Sequence, residues 1–241
     1  MAIPDAVTPD PANVEGLRRA SDRVLARIAE AAARSGREPA DVTLVAVSKT
    51  VPAERLVAAV EAGLTTLGEN RVQEAEAKVG AVPGATWHLV GPLQSNKVRR
   101  ALEVFETIES VDSVELAERL DRLAGEVRPA SRVPVLLQVN VDDDPSKAGF
   151  QPADLESAIG AILDLERLDV RGLMTIGRLV ERAEDARGTF VGLRALSATL
   201  RVDHPALGSE LSMGMSEDYP IAVEEGATIV RVGRALFGER H

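Results

Sequence analysis

The sequence predicts an α/β protein, a single (β/α)8 barrel of the TIM type with an extra helix at its N-terminus. Three observations carry this expectation. Eight short apolar runs rich in Val, Leu and Ile alternate with helical stretches; the run-to-run period is about 25 to 30 residues, the length of one strand-and-helix unit; and neither a low-complexity segment nor a composition break marks a linker. The 241 residues are 45% hydrophobic, which supplies one large core and excludes disorder as the overall state. A doubly wound open sheet is the rival, but no Gly-x-Gly-x-x-Gly turn follows the first strand. One domain is expected over residues 1–241, with residues 1–11 a flexible N-terminus.

Asp10-Pro11 is a helix start, and residues 12–36 place Val14, Leu17, Val24, Leu25, Ile28 and Ala31 on one face before Gly36 ends the run. Residues 42–48 (VTLVAVS) follow, apolar at neighbouring positions, as a strand buried on both faces of a parallel sheet must be. Further strands are expected within 65–69, 86–91, 106–111, 133–141, 170–177, 207–213 and 228–233. Helices are expected over 52–63, 71–80, 95–103, 113–126, 152–165, 180–200 and 216–226. A barrel of this kind does its chemistry where strands end, at the C-terminal face. Those ends are Ser48-Lys49, Glu69-Asn70, Gly91, Ser110 to Asp112, Asn140, Met174-Thr175, Ser212 to Ser216, and Arg231 to Gly233.

Composition narrows the function. Lys and Arg number 28 against 38 Asp and Glu, a net charge of −10 that repels nucleic acid and anionic lipid surfaces. No signal sequence and no apolar stretch of membrane-spanning length is present, so the chain is expected to be soluble and cytoplasmic. Without cysteine there is no disulfide framework and no thiolate nucleophile or metal ligand; His88, His204 and His241 are too few for a histidine-rich metal site, so no metal is expected. Only four of the basic residues are lysines: Lys49, Lys78, Lys97 and Lys147. Arginine stays charged, whereas a desolvated lysine can become a nucleophile, so each retained lysine invites a reason.

Lys49 directly follows the first buried strand, where its ammonium would point into the barrel mouth. It can serve there as a Schiff-base amine or as a strand-end charge paired with Glu69. Arg231, two residues before Gly233 in the last strand, would share the interior and needs a partner, either a carboxylate such as Glu69 or Glu109 or a ligand acceptor such as an aromatic ring nitrogen. Residues 211–220 (LSMGMSEDYP) and 230–238 (VRVGRALFG) are two candidate anion-binding loops, through the amides of 212–215 and 233–234. Asp142, Asp143 and Asp144 before Pro145 are expected to be a solvated turn, and His88 a hydrogen-bonded strand residue. Lys97, Arg99 and Arg100 form a basic cluster most simply explained as a solvated helix face.

VAVSKT (45–50), LGENRVQE (67–74), WHLVGPLQSNK (87–97), LLQVNVDDDPSKAGF (136–150), GLMTIG (172–177) and LSMGMSEDYPIAVEEGATIVRVGRALFG (211–238) together resemble the pyridoxal phosphate homeostasis protein family. The resemblance implies a fold-type-III barrel, similar to the N-terminal domain of alanine racemases, that holds pyridoxal 5′-phosphate as an internal aldimine on Lys49. It further implies phosphate contacts at Ser212, Gly214 and Gly233, an arginine facing the pyridine nitrogen at Arg231, and pocket positions at Asn70 and Met174. Arg71, Pro92 and Glu217 depart from residues common in the family, beside the matched contacts. An arginine at the ring nitrogen weakens the cofactor as an electron sink, and a racemase needs a second base opposite the lysine. Tyr219 is the only tyrosine and the length leaves no room for a second domain, so the expectation is a non-catalytic monomer that binds the cofactor and serves vitamin B6, amino-acid and keto-acid balance, with client enzymes as partners. The alternative is a small racemase of the same fold. Lys147 is a conceivable second cofactor-holding lysine.

Overall fold

Parallel strands that are apolar on both faces need cover on both sides, and a sheet closed on itself supplies it with its own interior and an outer ring of helices. The computed structural model, which describes residues 10–178 and 180–238, is this closed form. Its strands are β1 (Thr43–Val47), β2 (Thr66–Glu69), β3 (Thr86–Leu89), β4 (Thr107–Val111), β5 (Val133–Gln138), β6 (Leu168–Met174), β7 (Glu210–Ser212) and β8 (Ile229–Val232), paired in chain order and all parallel, with β8 returning to β1. The helices are α1 (Pro11–Arg34), α2 (Ala53–Glu61), α3 (Val72–Val79), α4 (Val98–Val104), α5 (Val114–Val127), α6 (Pro152–Leu163), α7 (Arg187–Asp203), α8 (Tyr219–Glu224) and α9 (Arg234–Phe237). None of the described helices is long and apolar enough to cross a membrane.

The eight strands fall within the expected runs, with β6 starting two residues earlier. The helical ends differ more. Residues 95–97 and 183–186 are 3-10 turns leading into α4 and α7, and α8 begins at Tyr219 because Pro220 presets the helical φ of its first turn. Residues 1–9 of the expected flexible stretch, and His241, lie outside the described residues. Asp10 caps α1 and Pro11 opens it: the Asp10 carboxylate accepts from the Ala12 amide at 3.0 Å.

Leu25 corrects the expected face of α1. It is 45% exposed, whereas Val14, Leu17, Ser21, Val24, Ile28 and Ala31 are buried. Those six recur at spacings of three and four, and Leu25 lies a further 100° round the helix from Val24, off the stripe. The buried stripe packs α1 across α2, α8 and α9, and Arg34 ties it to Glu224 at 2.7 Å.

Side chains alternate along each strand, so the barrel has two apolar regions. The larger lies between strands and helices; the smaller fills the interior with Val45, Val90, Leu136, Met174 and Ile229, packed against Val47 and Ile176. Gly68 belongs to the interior set: a Cβ there would stand 2.7 Å from Val45 Cγ1. Its neighbour Glu69 therefore points the other way, towards α3.

The α1 register is tested by thermal unfolding of two truncations. Ile28→Ala is expected to cost about 2–5 kcal/mol by cavity formation, and Leu25→Ala less than about 0.5 kcal/mol as a surface change; equal losses would show that the stripe is misplaced.

Candidate functional site

Lys49 stands just beyond β1 and lines two adjoining cavities of about 260 and 220 Å³ that share Val47, Lys49, Gly233 and Arg234. The second is apolar on one side, with Val90 and Ile176, and polar on the other, where Ser216 and Arg231 reach it. Gly233 brings β8 close to β1, since a Cβ on it would lie 3.2 Å from the Val47 carbonyl oxygen. Its amide donates to Ser216 Oγ at 3.2 Å, joining the loop after β7 to the loop after β8. Arg234 pairs with Glu217 at 3.0 Å on the rim. An amine, an apolar slot and a polar rim with a guanidinium, a hydroxyl and loop amides thus meet at one mouth.

Beneath the mouth, a polar network is buried in the barrel interior. Arg231 donates from Nη1 to Ser212 Oγ at 2.5 Å and from Nη2 to the Thr175 carbonyl at 2.7 Å, and Nη1 lies 4.0 Å from Glu109 Oε2. Ser212 Oγ donates to Glu109 Oε2 at 2.6 Å, and His88 Nδ1 pairs with Glu109 Oε1 at 2.7 Å. Burial pushes the Glu109 carboxyl up, but the His88 hydrogen bond and charge, with Arg231 and Ser212, outweigh it and hold the group below its ordinary value of 4.5. Burial pulls Arg231 down against the opposing pull of Glu109 and Asp218. An arginine nevertheless keeps its proton in a protein.

Of the two carboxylates offered as partners for Arg231, the structure takes Glu109 and not Glu69. Glu69 is completely buried on the outer face of the sheet, where Oε1 accepts from Lys78 Nζ at 2.6 Å and Ser48 Oγ at 2.7 Å. Burial raises its pKa, and Oε2 has no hydrogen-bond partner.

Lys49, Arg231 and Gly233 are brought together at one cavity. Met174 lies in the interior cluster under it, touching the layer that holds Val47, Val90 and Ile176. The Ser212 hydroxyl is engaged by Glu109 and Arg231. Gly214 adopts φ +90° and is packed under α8, where a Cβ would come within 2.5 Å of Ala222 Cβ. Asn70 lines a separate cleft of about 670 Å³ with Arg71, Pro92, Gln94 and Lys97. Tyr219 is fully buried with the Arg27 guanidinium 5.2 Å from its ring centroid, beneath α1. Asp142 serves Thr189 and Arg178 while Asp144 serves Ser146, so the acidic run is divided among separate partners. His88 is indeed a hydrogen-bonded strand residue. Arg99 and Arg100 pair with Glu126 and Glu76, and Lys147 donates to the Gly177 carbonyl at 3.2 Å. Sequence reasoning missed Lys78, Glu74 and Asp218. Lys78 alone left a signal, as one of four lysines.

The family described as "Alanine racemase, N-terminal domain" matches residues 20–241. The pyridoxal phosphate homeostasis protein of Pseudomonas aeruginosa is 45% identical over 224 residues, 90% of this chain and 93% of that one. PipY of Synechococcus elongatus, solved with PLP bound, is 47% identical with a TM-score of 0.77, covering 88% of this chain and 100% of that one. An alanine racemase of Clostridium difficile, at 15% identity and a TM-score of 0.73 over 94% of this chain and 57% of that one, shares the fold alone.

Glu109→Gln leaves Arg231 without its buried counter-charge and is expected to cost about 3–5 kcal/mol at pH 7, on the order of 10 °C in melting temperature for a chain of this size. Folding favours ionised Glu109, so its contribution is present above its ordinary value of 4.5 and is lost as pH falls below it. The gap between wild type and variant should therefore narrow on acidification, followed by calorimetry from pH 7 to pH 4; a gap that widens would contradict the assigned sign.

Proposed function

We propose a function from the premise that this chain belongs to the alanine racemase N-terminal domain family and, within it, to the pyridoxal phosphate homeostasis proteins: it binds pyridoxal 5′-phosphate through Lys49 and holds it for delivery, without turning over a substrate. The observation that carries the reading is the convergence of Lys49, Arg231 and Gly233 on one cavity with an apolar slot between them. When bound, the cofactor supplies an aldehyde to the amine and an electron-withdrawing ring.

The residues present suit that group. The Val90 and Ile176 walls accept a flat ring and exclude water from its faces. Arg231 is fixed by Ser212, Glu109 and Thr175, so its guanidinium is a rigid donor for an acceptor nitrogen. Because it does not give up a proton, it would keep that nitrogen unprotonated and so limit the electron withdrawal the ring could supply. The loop of Ser216 and Gly233, with Arg234 beside it, is the polar end for a phosphate. Ser212 supports the nitrogen end by holding Arg231, and Gly214 supports the phosphate end by letting the loop turn against α8. Met174 fills the floor, and Gly91, having no Cβ, lets its loop lie against the Asn70 backbone.

Holding without turnover is favoured by the position of Tyr219. Two-base racemization needs a group on the face opposite Lys49, and this phenol is buried under α1, lifted above its usual pKa by that burial, away from the cavity. The proposal further places the protein in the cytoplasm as a monomer whose partners are apo-enzymes that need the cofactor.

Two measurements test this. Purified protein mixed with pyridoxal phosphate is expected to gain a visible absorption band that borohydride fixes on the Lys49 peptide and that Lys49→Ala abolishes; label spread evenly over the four lysines would overturn the assignment. Loaded protein incubated with single L-amino acids in deuterated water is expected to show no steady α-proton exchange, and exchange at enzyme-like rates, on the order of 1–1,000 per second, would establish the racemase instead.

A further inference from the structure

Ser48 to Val51 form a tight turn, closed by the Val51 amide donating to the Ser48 carbonyl at 3.0 Å, with Lys49 and Thr50 at its centre. Thr50 has φ +65°, and only it and Asp143 have positive φ among the described non-glycine residues. A negative φ at the first central residue with a positive φ at the second is the pattern of a type II turn, which favours glycine at the second place. A β-branched residue there is strained. The turn that carries Lys49 is therefore held in a form its own sequence disfavours.

What holds it comes from α3. The Thr50 amide, which belongs to the peptide between the two central residues, donates to Glu74 Oε2 at 3.3 Å. Types I and II differ chiefly in the orientation of this peptide, so a carboxylate on its N–H selects one of the two. One helical turn on, Lys78 Nζ donates to the Ser48 carbonyl at 3.0 Å and to Glu69 Oε1 at 2.6 Å, while Ser48 Oγ donates to the same Glu69 oxygen at 2.7 Å. Glu69 is completely buried, so the ammonium is fixed there by charge. A lysine suits the place because its compact ammonium reaches a carbonyl and a carboxylate oxygen from one point.

We propose that Glu74 and Lys78 are positioning residues that aim Lys49 into the cavity by locking the 48–51 turn in its strained form. Neither touches the cofactor in this scheme. Glu74 sets the central peptide, and Lys78 with Glu69 anchors the residue before Lys49. The proposal rests on Lys49 being the cofactor's anchor, but its subject is the direction of the amine, which can be read without cofactor.

The test follows two readouts in Glu74→Ala, in Glu74→Ala with Thr50→Gly, and in Lys78→Met with Glu69→Gln, the last designed to leave no unpaired buried carboxylate. In unloaded protein, the rate of reductive methylation at Lys49 is measured by peptide mass mapping, with Lys97 and Lys147 as internal controls. In titrated protein, the affinity for pyridoxal phosphate is read from the visible band. Glu74→Ala is expected to change the Lys49 methylation rate with the controls unmoved and to weaken binding by about tenfold or more, as a misaimed reacting group does. Adding Thr50→Gly should recover most of the loss, because glycine accepts the positive φ without help. The Lys78→Met with Glu69→Gln protein should lose affinity as Glu74→Ala does.

Unchanged methylation and affinity in Glu74→Ala, or a loss that Thr50→Gly deepens, would overturn the proposal. So would wild-type affinity in the Lys78→Met with Glu69→Gln protein. If wild type gave no Lys49-linked band, the cofactor assignment would fail, and the methylation rates of the unloaded proteins would still decide whether α3 aims the amine.

Discussion

The interior of this barrel is organised around one buried cation. Arg231 lies on β8 with almost no solvent access, and an unpaired charge at such a place would be untenable. Three different strands and the start of a loop answer it: Glu109 from β4, Ser212 from β7 and the Thr175 carbonyl after β6, with His88 from β3 completing the carboxylate's partners. Because these groups come from around the ring, they join strands β3, β4, β7 and β8 across the interior where side-chain packing alone would be non-directional. The network also fixes the guanidinium in direction as well as charge. A donor that is rigid before a ligand arrives loses little entropy when one is bound.

Glu69, the last residue of β2, and Glu109, in the middle of β4, show how completely strand phase governs chemistry. Glu69 and Glu109 are both completely buried and both serve cations, yet Glu109 is held below and Glu69 above the ordinary carboxylate value. Burial raises both. Glu109 faces inward, where His88, Ser212 and Arg231 surround both its oxygens; Glu69 faces outward, where Lys78 and Ser48 meet one oxygen and leave the other without a hydrogen bond. A one-residue difference in phase thus separates a carboxylate that stabilises the interior from one that anchors a loop.

Strand phase is also where sequence reading reached its limit. The period of apolar runs and helices was sufficient for the barrel, because each unit repeats the same physical problem of covering a two-faced strand. Lys49, Arg231 and Gly233 were legible because all three stand where strands end, and closure of β8 onto β1 brings the two ends together. Ser212 and Met174 stand at ends too, but the first is drawn into the charge network and the second into the floor, and those fates depend on cross-barrel neighbours that spacing does not reveal. Leu25 was misplaced because a six-residue apolar set can be drawn two ways round a helix until its partner is known. Lys78 and Glu74 lie on the inner face of a helix that reads as an ordinary amphipathic segment.

The scarcity of lysine links these levels. A chain with 28 basic residues that keeps only four lysines has arginine at nearly every place where charge or a long donor is enough. In the proposed role Lys49 needs an amine that can lose a proton and become a nucleophile, which a guanidinium cannot supply. Lys78 meets a different demand, a compact cation that fits between a carbonyl and a buried carboxylate. One amine lines a cavity and the other lies partly buried behind the strand, where it binds the carbonyl of the residue next to the first. The division fits the proposed role, in which direction counts for more than reactivity: a site proposed to capture and later release a ligand gains from an amine held at one angle, and a rigid arginine at the other end of the slot would keep a bound ring from being driven further along a reaction path.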